Sequence, residues 1–302
     1  MLTADHISTL VRDALREDAP WGDITAESVI PADAVATAQL VARVGGVLSG
    51  GEIWAAAFRA ADPRLRVDLH RPDGRAFTAE DVLATVTGPA RPLLTAERVA
   101  LNFVQHLSGI STLTAAYVAE VAGTRARITD TRKTTPGLRA AEKYAVRCGG
   151  GHNHRFGLSD AVMVKDNHLA VLRESSGETV TAALRGIRER VGHTTHIEVE
   201  VDRLDQIEEV LAAGIDTIML DNFSCDELRA GVALVAGRAV VEASGGITLE
   251  TVAGVAATGV DVISVGALTH SAPSLDLGLD ITIEVEPGAP SGGIRAAHSA
   301  GG

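Results

Sequence analysis

The spacing of apolar and polar residues predicts a mixed α and β arrangement in the first third of the chain. Between residues 4 and 18, apolar side chains recur at helical intervals, and Pro20 and Gly22 follow where the helix is expected to end. Short β-branched or alternating runs, bounded by glycine and proline, predict strands, and the segment between the first two runs predicts a helix. The predicted strands lie in 33–47, 65–69 and 81–87, and the helix covers 51–61. These elements do not repeat a β-α unit.

The segment 95–121 predicts two helices that are interrupted near Ser108 and Gly109. Arg98 lies to one side of the apolar face of the first helix, and its spacing alone predicts an ordinary solvated position. The residues of that apolar face are Val99, Phe103, Val104 and Leu107.

After Gly123 the pattern changes to short apolar strands that alternate with helices. Six strands are predicted, at 126–129, 161–164, 196–201, 217–220, 239–243 and 262–265. Helices are predicted at 137–147, 179–190, 204–213, 225–235 and 249–257. Six alternations of this length are typical of a parallel sheet that closes, or nearly closes, into a β/α barrel.

In such a barrel, the loops that follow the strands converge on one mouth, where the chemistry takes place. Every predicted strand is followed there by a charge or a glycine turn. These residues are Arg132, Lys133, Lys165, Glu198 or Glu200, Asp221, Ser244–Gly246 and Gly266–Ala267. Strand ends are commonly polar for solvation alone, but six in succession indicate a functional site.

Two of the glycine turns predict a phosphate site. Ser244–Gly246 stands between a strand and a helix that is expected to open at Thr248, so free amide groups and the helix dipole would face one point. Gly266–Ala267 follows the next strand, and barrels often build phosphate sites from their last two loops of this kind. Either turn alone is explained by tight turning, whereas the adjacent pair favours phosphate.

Glu200 and Asp221 end two neighbouring strands, and alternation places Glu198 on the same face as Glu200. Paired carboxylates at a barrel mouth can bind Mg²⁺ through oxygen or hold ribose hydroxyls. They can equally be ion-pair partners of a basic cluster, and the residues alone leave both alternatives open.

The distribution of charge indicates a small anionic ligand. The chain has a formal net charge of -12, yet the segment 125–173 holds ten basic and four acidic residues. All three lysines, Lys133, Lys143 and Lys165, fall in this segment, and every other basic residue is arginine. A compact ammonium and a planar guanidinium are not interchangeable, so the lysines are expected where only an ammonium fits. Chance clustering of three residues is the alternative.

Composition disfavours several other classes of protein. Aromatic residues make up 3% and the pI is near 5.3, which argues against nucleic-acid binding. The two cysteines form no disulfide framework, and neither a signal peptide nor an apolar run of membrane-spanning length is found. We therefore expect a cytoplasmic protein with no membrane partner. Residues 287–302 are rich in Gly, Ala, Ser and Pro and are expected to be disordered.

Cys148, His152 and His154 raise the question of a zinc site. The triplet lacks a fourth ligand at a recognisable spacing, and the three glycines within it would hold the ligands loosely. Zinc is therefore disfavoured, and the histidines are expected to bond to an anion or to backbone.

A long central motif comprises TRKTTPGLR at 131–139, EKYAVRCGGGHNHRFGLSD at 142–160 and VMVKDNH at 162–168. It resembles the motifs of the quinolinate phosphoribosyltransferase family, also called carboxylating nicotinate-nucleotide pyrophosphorylases. The likeness extends to WGDIT near Trp21, LTAERVALNFVQHLSGIST from Leu94, EVEVD, MLDNF, EASGGI and VGALTHS, and so reaches from the first helix to about Ile283.

This resemblance implies an α/β fold in which an N-terminal α/β sandwich domain is joined to an incomplete, open β/α barrel. The implied bounds are 1–108 for the sandwich domain, 109–270 for the barrel and 271–286 for a segment that returns to the first domain. The implied reaction combines quinolinate with phosphoribosyl pyrophosphate, in the presence of Mg²⁺, to give nicotinate mononucleotide, pyrophosphate and CO2. The implied assembly is a homodimer with shared sites.

The resemblance also implies roles for individual residues. The quinolinate carboxylates would be held by Arg98 acting across the dimer and by Thr131, Arg132, His154, Arg155 and Lys165. Phosphoribosyl pyrophosphate and its metal would be taken by Lys133, Glu200 and Asp221, of which Glu200 and Asp221 are the metal ligands, direct or indirect. Phosphate would be cradled by Ser244, Gly245, Gly246, Val265, Gly266 and Ala267. Catalytic roles fall to Lys133, Lys165, Glu200 and Asp221.

Three other functions stay open as alternatives. Lys165 at the end of a barrel strand is also the arrangement of a Schiff-base aldolase. A phosphoribosyltransferase of the same fold could act on another base, the paralogue associated with molybdate transport being one example. A non-enzymatic phosphate-binding protein would leave the clustered lysines unexplained.

Overall fold

The computed structural model describes residues 2–165, 167–171 and 179–284. The chain divides into two compact units, and each is assembled from separate stretches of sequence. The first unit comprises Met1–Leu113, Pro136–Gly150 and Ala272–Gly302, and the second comprises Thr114–Thr135 and Gly151–Ser271. The tail at 287–302, predicted to be disordered, lies outside the described residues.

The first unit contains both helices and strands. Its helices are α1 (Ala4–Asp18), α2 (Ile24–Val29), α3 (Gly51–Ala61), α4 (Ala90–Glu120), whose last residues belong to the second unit, and α5 (Arg139–Cys148). Its strands are β1 (Val35–Ala42), β2 (Gly46–Val47), β3 (Arg66–Leu69), β4 (Ala76–Phe77), β5 (Val82–Pro89) and the last strand of the chain, β12 (Leu277–Glu284). The helices predicted at 4–18 and 51–61 are therefore confirmed.

Four strands of this unit form an antiparallel sheet in the order β12-β1-β5-β3, and β2 pairs with β4. The first five residues of β1, 35–39, alternate between exposed and buried, as a strand with one buried face requires. β12 pairs with β1 along its whole length, from Val35 opposite Glu284 to Ala42 opposite Leu277. α1 and β3 pack on α3, which buries Trp54 and Phe58 with their ring centroids 4.7 Å apart.

The prediction of two helices within 95–121 was wrong, because α4 runs unbroken through Ser108 and Gly109. Both residues are small because other chain segments approach the helix there. The hydroxyl of Ser108 accepts a hydrogen bond from the amide of Ser49 at 3.1 Å. A Cβ atom on Gly109 would lie only 2.0 Å from the carbonyl oxygen of Pro273. Sequence signals for a helix break thus mark tertiary close packing.

The second unit alternates strands with helices. Its strands are β6 (Arg127–Thr129), β7 (Val162–Val164), β8 (Ile197–Val201), β9 (Thr217–Asp221), β10 (Val240–Ser244) and β11 (Val262–Ser264). Its helices are α6 (Val180–Arg190), α7 (Ile207–Leu211) preceded by a 3-10 turn (Leu204–Gln206), α8 (Cys225–Val235), α9 (Val252–Ala256) and α10 (Ala267–His270), and residues 167–171 are also helical. All six predicted strands are confirmed to within one residue at each end.

The six strands form one parallel sheet in the order β6-β11-β10-β9-β8-β7. β6 and β7 are its two edges, and in the described part of the chain β6 is continued only by a single bridge from Thr129 to His152. The sheet is therefore an open β/α barrel, which confirms the predicted fold class. β8 is buried at all five positions, as expected for a central parallel strand.

Asp216 anchors the start of β9 to its neighbours. Its carboxylate accepts hydrogen bonds from the guanidinium of Arg188 at 2.6 Å and from the amide of Ile197 at 2.7 Å. Burial alone would raise the pKa of Asp216, but these two donors outweigh burial and the pKa is lowered. None of the helices in the described residues is both long and apolar enough to cross a lipid bilayer.

Candidate active site

The ends of the barrel strands share one edge of the sheet because all six strands run in the same direction. The register fixes which ends are neighbours: Val164 lies opposite Val199, Asp221 opposite Ser244, and Ser264 opposite Thr129. The polar residues predicted from strand ends all belong to this second unit. The structure places them along one edge, as the barrel hypothesis requires.

Lys165 and Glu200 meet directly at this edge. The ammonium group of Lys165 donates to a carboxylate oxygen of Glu200 in a close ion pair. The Lys165 side chain is 47% exposed, whereas that of Glu200 is 11% exposed. The carboxylate thus sits below a lysine that still faces solvent, and an anion arriving from outside would meet the ammonium first.

Lys133 lies along the turn that follows β11. A Cβ atom on Gly266 would come within 3.0 Å of the Cδ atom of Lys133 and 3.2 Å of Nε2 of His270, so a larger residue would crowd both side chains. The backbone of Lys133 is held at both of its polar groups. Its amide donates to Oγ1 of Thr131 at 3.0 Å, and its carbonyl accepts from Oγ1 of Thr269 at 2.7 Å. The lysine is therefore fixed beside one of the two predicted phosphate turns.

The other predicted phosphate turn, Ser244–Gly246, follows β10 in left-handed backbone conformations, with φ of 97° at Gly245 and 60° at Gly246. The helix after it starts later than predicted, at Val252, and has only five residues. A turn held by the Thr251 hydroxyl, which accepts from the amide of Thr248 at 2.9 Å, takes up the intervening residues. The first helical hydrogen bond does run from the amide of Val252 to the carbonyl of Thr248 at 3.0 Å, as the prediction that the helix opens at Thr248 requires. The predicted helix-dipole contribution stays a prediction, and the short helix leaves the amide groups of the turn itself as the main donors to any anion there.

His154, Glu198 and Glu242 form a buried cluster inside the barrel. Nε2 of His154 lies 3.1 Å from Oε2 of Glu198 and 3.5 Å from Oε1 of Glu242, and both glutamates are 3% exposed. Among the described residues, the Oε1 atoms of both glutamates find no hydrogen-bond partner. Burial opposes charge on the imidazole, but the two carboxylates outweigh burial and raise the pKa of His154 to about 10. Burial raises the pKa of Glu198.

The other ring nitrogen of His154 accepts from the amide of Arg155 at 2.8 Å, a contact that favours the neutral ring and so opposes the carboxylates. Because Nδ1 accepts this hydrogen bond, the geometry places the ring proton on Nε2, directed at the carboxylates, and a second proton on Nδ1 would have to break the contact with the Arg155 amide. The side chain of His154, predicted to contact quinolinate, is thus directed into the barrel interior. Its predicted role as a ligand for substrate stays a prediction.

Asp130 fixes the loop that carries His154 and Arg155. The Asp130 side chain is fully buried and accepts from the amide of His154 at 2.9 Å and from the side chain of Asn153 at 2.6 Å. Together with the bridge from Thr129 to His152, this holds the loop beside the end of β6.

Arg132 and Arg155 are close enough for their positive charges to interact. The pKa of Arg155 is lowered, first by burial and then by the positive charge of Arg132. The Arg155 guanidinium also donates to the carbonyl of Ala161 at 3.1 Å. Two guanidinium groups whose charges repel are both stabilised by an anion bound near them, so this part of the mouth suits a ligand with carboxylate groups.

Arg98 lies on α4 in the first unit and is exposed, as its spacing predicted. Sequence reasoning missed Glu242, Asp130 and Asn222. The signal for Glu242 was present, because it precedes Ser244 by two positions on β10 and therefore shares its face. Asn222 follows the strand-end residue Asp221 and donates to its carboxylate.

Two sets of residues could hold a metal ion. The donor atoms of His154, Glu198 and Glu242 lie within 4.8 Å of one another, whereas the Cys148, His152 and His154 triplet forms no such group among the described residues. Glu200 and Asp221 offer carboxylate oxygens at the ends of the adjacent strands β8 and β9. Oxygen donors of this kind, completed by water and substrate phosphate, fit the preference of Mg²⁺.

Comparison with known proteins agrees with the resemblance across both units. Residues 23–108 match the family described as quinolinate phosphoribosyl transferase, N-terminal domain, and residues 110–280 match its C-terminal domain. The chain is 42% identical over 281 residues to the probable carboxylating nicotinate-nucleotide pyrophosphorylase of Bacillus subtilis, covering 93% of this chain and 95% of the relative. It is 45% identical over 286 residues to the corresponding protein of Mycobacterium leprae, covering 92% and 98%. The crystal structure of NadC from Streptococcus pyogenes matches with a TM-score of 0.89 at 41% identity, covering 94% of this chain and 99% of that one.

Proposed function

The chain belongs to the quinolinate phosphoribosyltransferase family, and from this we propose that it is a carboxylating nicotinate-nucleotide pyrophosphorylase. Such an enzyme transfers the phosphoribosyl group of phosphoribosyl pyrophosphate to quinolinate and releases pyrophosphate and CO2, leaving nicotinate mononucleotide for NAD biosynthesis. The observation that carries the proposal is a match to both family domains together with a strand-end mouth that bears Lys133, Lys165, Glu200 and Asp221.

We propose that the basic side chains of the mouth bind quinolinate, which is a dianion. The charges of Arg132 and Arg155 interact, and guanidinium groups pair well with carboxylates in a bidentate manner. Lys165 adds an ammonium group that Glu200 holds in place. Thr131 is adjacent in sequence to Arg132 and accepts from the amide of Lys133, so it orders the loop that bears both cations.

We propose that phosphoribosyl pyrophosphate occupies the other side of the mouth, between β8 and β11. Its phosphates would meet Lys133 and the amide groups of the turns at Ser244–Gly246 and Val265–Ala267, while Glu200 and Asp221 would hold the ribose. Mg²⁺, held through Glu200 and Asp221 together with water, would offset the negative charge of the pyrophosphate.

The chemistry needs positioning and electrostatic stabilisation, and no covalent intermediate with the protein. The bond from ribose C1 to the pyrophosphate oxygen breaks with its electrons leaving on oxygen, and the carboxylates nearby stabilise the positive charge that develops at C1. The pyridine nitrogen then uses its free lone pair to bond to C1, so it requires no general base. The resulting pyridinium accepts the electrons of the breaking bond when CO2 leaves, and the ring carbon takes up a proton in its place. Fixed placement of both anions supplies most of the required orientation.

We further propose a cytoplasmic homodimer in which Arg98 of each subunit reaches the mouth of the other. The two cysteines are free thiols, which agrees with a reducing compartment. Arg98 is exposed on α4 and is the cation of the quinolinate set that lies outside the second unit. A partner contribution would explain why an arginine implied for the substrate site is carried by the other unit.

The direct test is release of CO2 from quinolinate carrying labelled carbon in the 2-carboxylate. Release is expected only when both phosphoribosyl pyrophosphate and Mg²⁺ are supplied. Nicotinate serves as the matched control base, because it lacks this carboxylate and cannot yield CO2. Turnover of nicotinate but not quinolinate would instead support a phosphoribosyltransferase for another base, and borohydride trapping of a carbonyl compound on Lys165 would support an aldolase. In the structure the side-chain nitrogen of Lys165 is engaged by Glu200, so a carbonyl compound would have to displace that contact before reacting there.

A further inference from the structure

Asn222 adopts a backbone conformation that is uncommon for its position. Its φ is 60°, and only two other residues besides glycine, Glu80 and Ala236, have positive φ in the described part of the chain. Asparagine tolerates the left-handed region better than most residues, but the conformation still has to be enforced by its surroundings. Residues held in this way are concentrated at functional sites.

The surroundings of Asn222 join two elements of the mouth. Its side-chain amide donates to Oδ2 of Asp221 at 2.7 Å. Its backbone amide donates to the carbonyl of Ser244 at 2.8 Å and so continues the pairing of β9 with β10 beyond the last strand residue. One short residue thus bonds both to the carboxylate that ends β9 and to the turn that begins after β10.

The turn packs closely against Asn222 at Gly245. A Cβ atom on Gly245 would lie 2.1 Å from Oδ1 of Asn222 and 2.8 Å from its backbone nitrogen. The turn can therefore approach Asn222 only because residue 245 has no side chain, and its φ of 97° is also one that glycine adopts readily. The contact orients the amide of Asn222 with its oxygen towards Gly245 and its nitrogen towards Asp221.

We propose that Asn222 is a positioning residue that sets the Asp221 carboxylate at a fixed place relative to the turn at Ser244–Gly246. This rests on the proposed function, in which the ribose and its metal meet Asp221 while a phosphate of the same molecule meets the turn. Asp221 is only partly buried, and without a neighbour its carboxylate would turn freely. The amide of Asn222 occupies one carboxylate oxygen and leaves the other, Oδ1, for the ligand.

Exposure argues against a purely structural role. Asn222 is exposed at the mouth, and its hydrogen bond to Asp221 is also exposed and does not link parts of the hydrophobic core. Hydrogen bonds at exposed positions contribute little to folding because water competes for both partners. An enforced left-handed residue with such a bond is better explained by ligand orientation than by stability.

Two variants at Asn222 distinguish the effect of its side-chain hydrogen-bond donor from the effects of its backbone conformation and side-chain shape. Asn222→Gly keeps the left-handed backbone and removes the amide, whereas Asn222→Asp keeps the shape but cannot donate to a neighbouring carboxylate at neutral pH. Ala236→Gly is the matched control, because it replaces another left-handed residue at the end of α8, away from the strand ends. The measurements are the KM values for phosphoribosyl pyrophosphate and quinolinate, and the rise in melting temperature produced by phosphoribosyl pyrophosphate with Mg²⁺.

Both Asn222 variants are expected to raise KM for phosphoribosyl pyrophosphate about tenfold or more and to shrink its thermal stabilisation, as loss of a supporting partner commonly does. KM for quinolinate and the melting temperature without ligand should stay close to those of the parent, and Ala236→Gly should match the parent in KM. The inference is overturned if both variants retain parental KM for phosphoribosyl pyrophosphate, if Asn222→Asp alone does so, or if both KM values and the unliganded melting temperature change together. If the parent itself releases no CO2 from quinolinate, the proposed function fails; if the parent is active and the variants behave like it, only the role of Asn222 fails.

Discussion

Replacing Gly109 with alanine sets two opposing effects against each other within α4. Alanine is favoured over glycine in a helix interior by about 1 kcal/mol, so helix propensity alone predicts a more stable protein. The added Cβ atom, however, would lie 2.0 Å from the carbonyl oxygen of Pro273 and 3.0 Å from its carbon. Real contacts of this kind are essentially never shorter than 3.0 Å, so the two backbones would have to separate by about 1 Å.

The steric cost of the added methyl group is expected to exceed the gain in helix propensity. Inserting a methyl group into a packed interior costs about 1–3 kcal/mol, and the upper part of that range applies because the obstacle is backbone that cannot rotate away. Subtracting the gain in helix propensity leaves a net loss of about 2 kcal/mol in the free energy of unfolding. For a unit of this size such a loss lowers the melting temperature by roughly 4–8 °C.

Urea unfolding followed by circular dichroism measures this loss as a lower midpoint with an unchanged slope. Gly186→Ala in α6 is the matched control: the same substitution in a helix, where the new Cβ would meet only the flexible end of Arg190 at 3.5 Å. The control should be as stable as the parent or more stable by up to about 1 kcal/mol. A Gly109→Ala protein at least as stable as the parent would refute the close packing of α4 against the segment that contains Pro273.

Three further predictions concern the mouth and the anchoring of β9. Lys133→Arg keeps the charge but places a planar group against Gly266, so kcat/KM for CO2 release should fall about tenfold or more; near-parental turnover would make the lysine clustering accidental. Mixing inactive Arg98→Ala with inactive Lys165→Ala proteins should restore up to about a quarter of parental activity after subunit exchange, because half of the dimers are mixed and each has one intact site. No recovery despite verified exchange would rule out a shared site. Asp216→Asn should be less stable than the parent at pH 7 by at most about 1 kcal/mol, since solvent screens this partly exposed group. Because the pKa of Asp216 is lowered on folding, its stabilisation is full above about pH 4 and is lost as the pH falls through the folded-state value; a difference that stayed constant from pH 7 to pH 3 would contradict this.

The barrel could be predicted from the sequence because its signals are local. Each strand is a short apolar run between glycines or polar turns, and these runs fixed the strand bounds closely. The unbroken α4 could not be predicted in the same way. Serine and glycine at 108 and 109 are ordinary helix-breaking signals, and what overrides them is contact with Ser49 and Pro273, which are remote in sequence.

The site residues likewise divide into those that local sequence signals predict and those whose roles depend on contacts between remote segments. Lys165 and Glu200 were found because they stand at strand ends, and the structure shows that they pair. Glu198 was grouped with Glu200 by alternation, but it bonds to His154 deeper in the barrel, and which acid faces which base depends on the curvature of the sheet. Glu242 was overlooked because the strand around it is otherwise apolar, although burial of a carboxylate normally demands a partner.

The pairing of β12 with β1 constrains the order in which the protein can be made. A chain emerging from the ribosome presents β1 early, but its partner strand is not synthesised until some 240 residues later, which takes about 10–50 s at ordinary elongation rates. During that interval one side of β1 has no strand beside it, and exposed strand edges are the places where chains aggregate. Fragments that stop short of Leu277 should therefore be poorly behaved on expression, and a tag or fusion added after β12 should be better tolerated than any truncation into it.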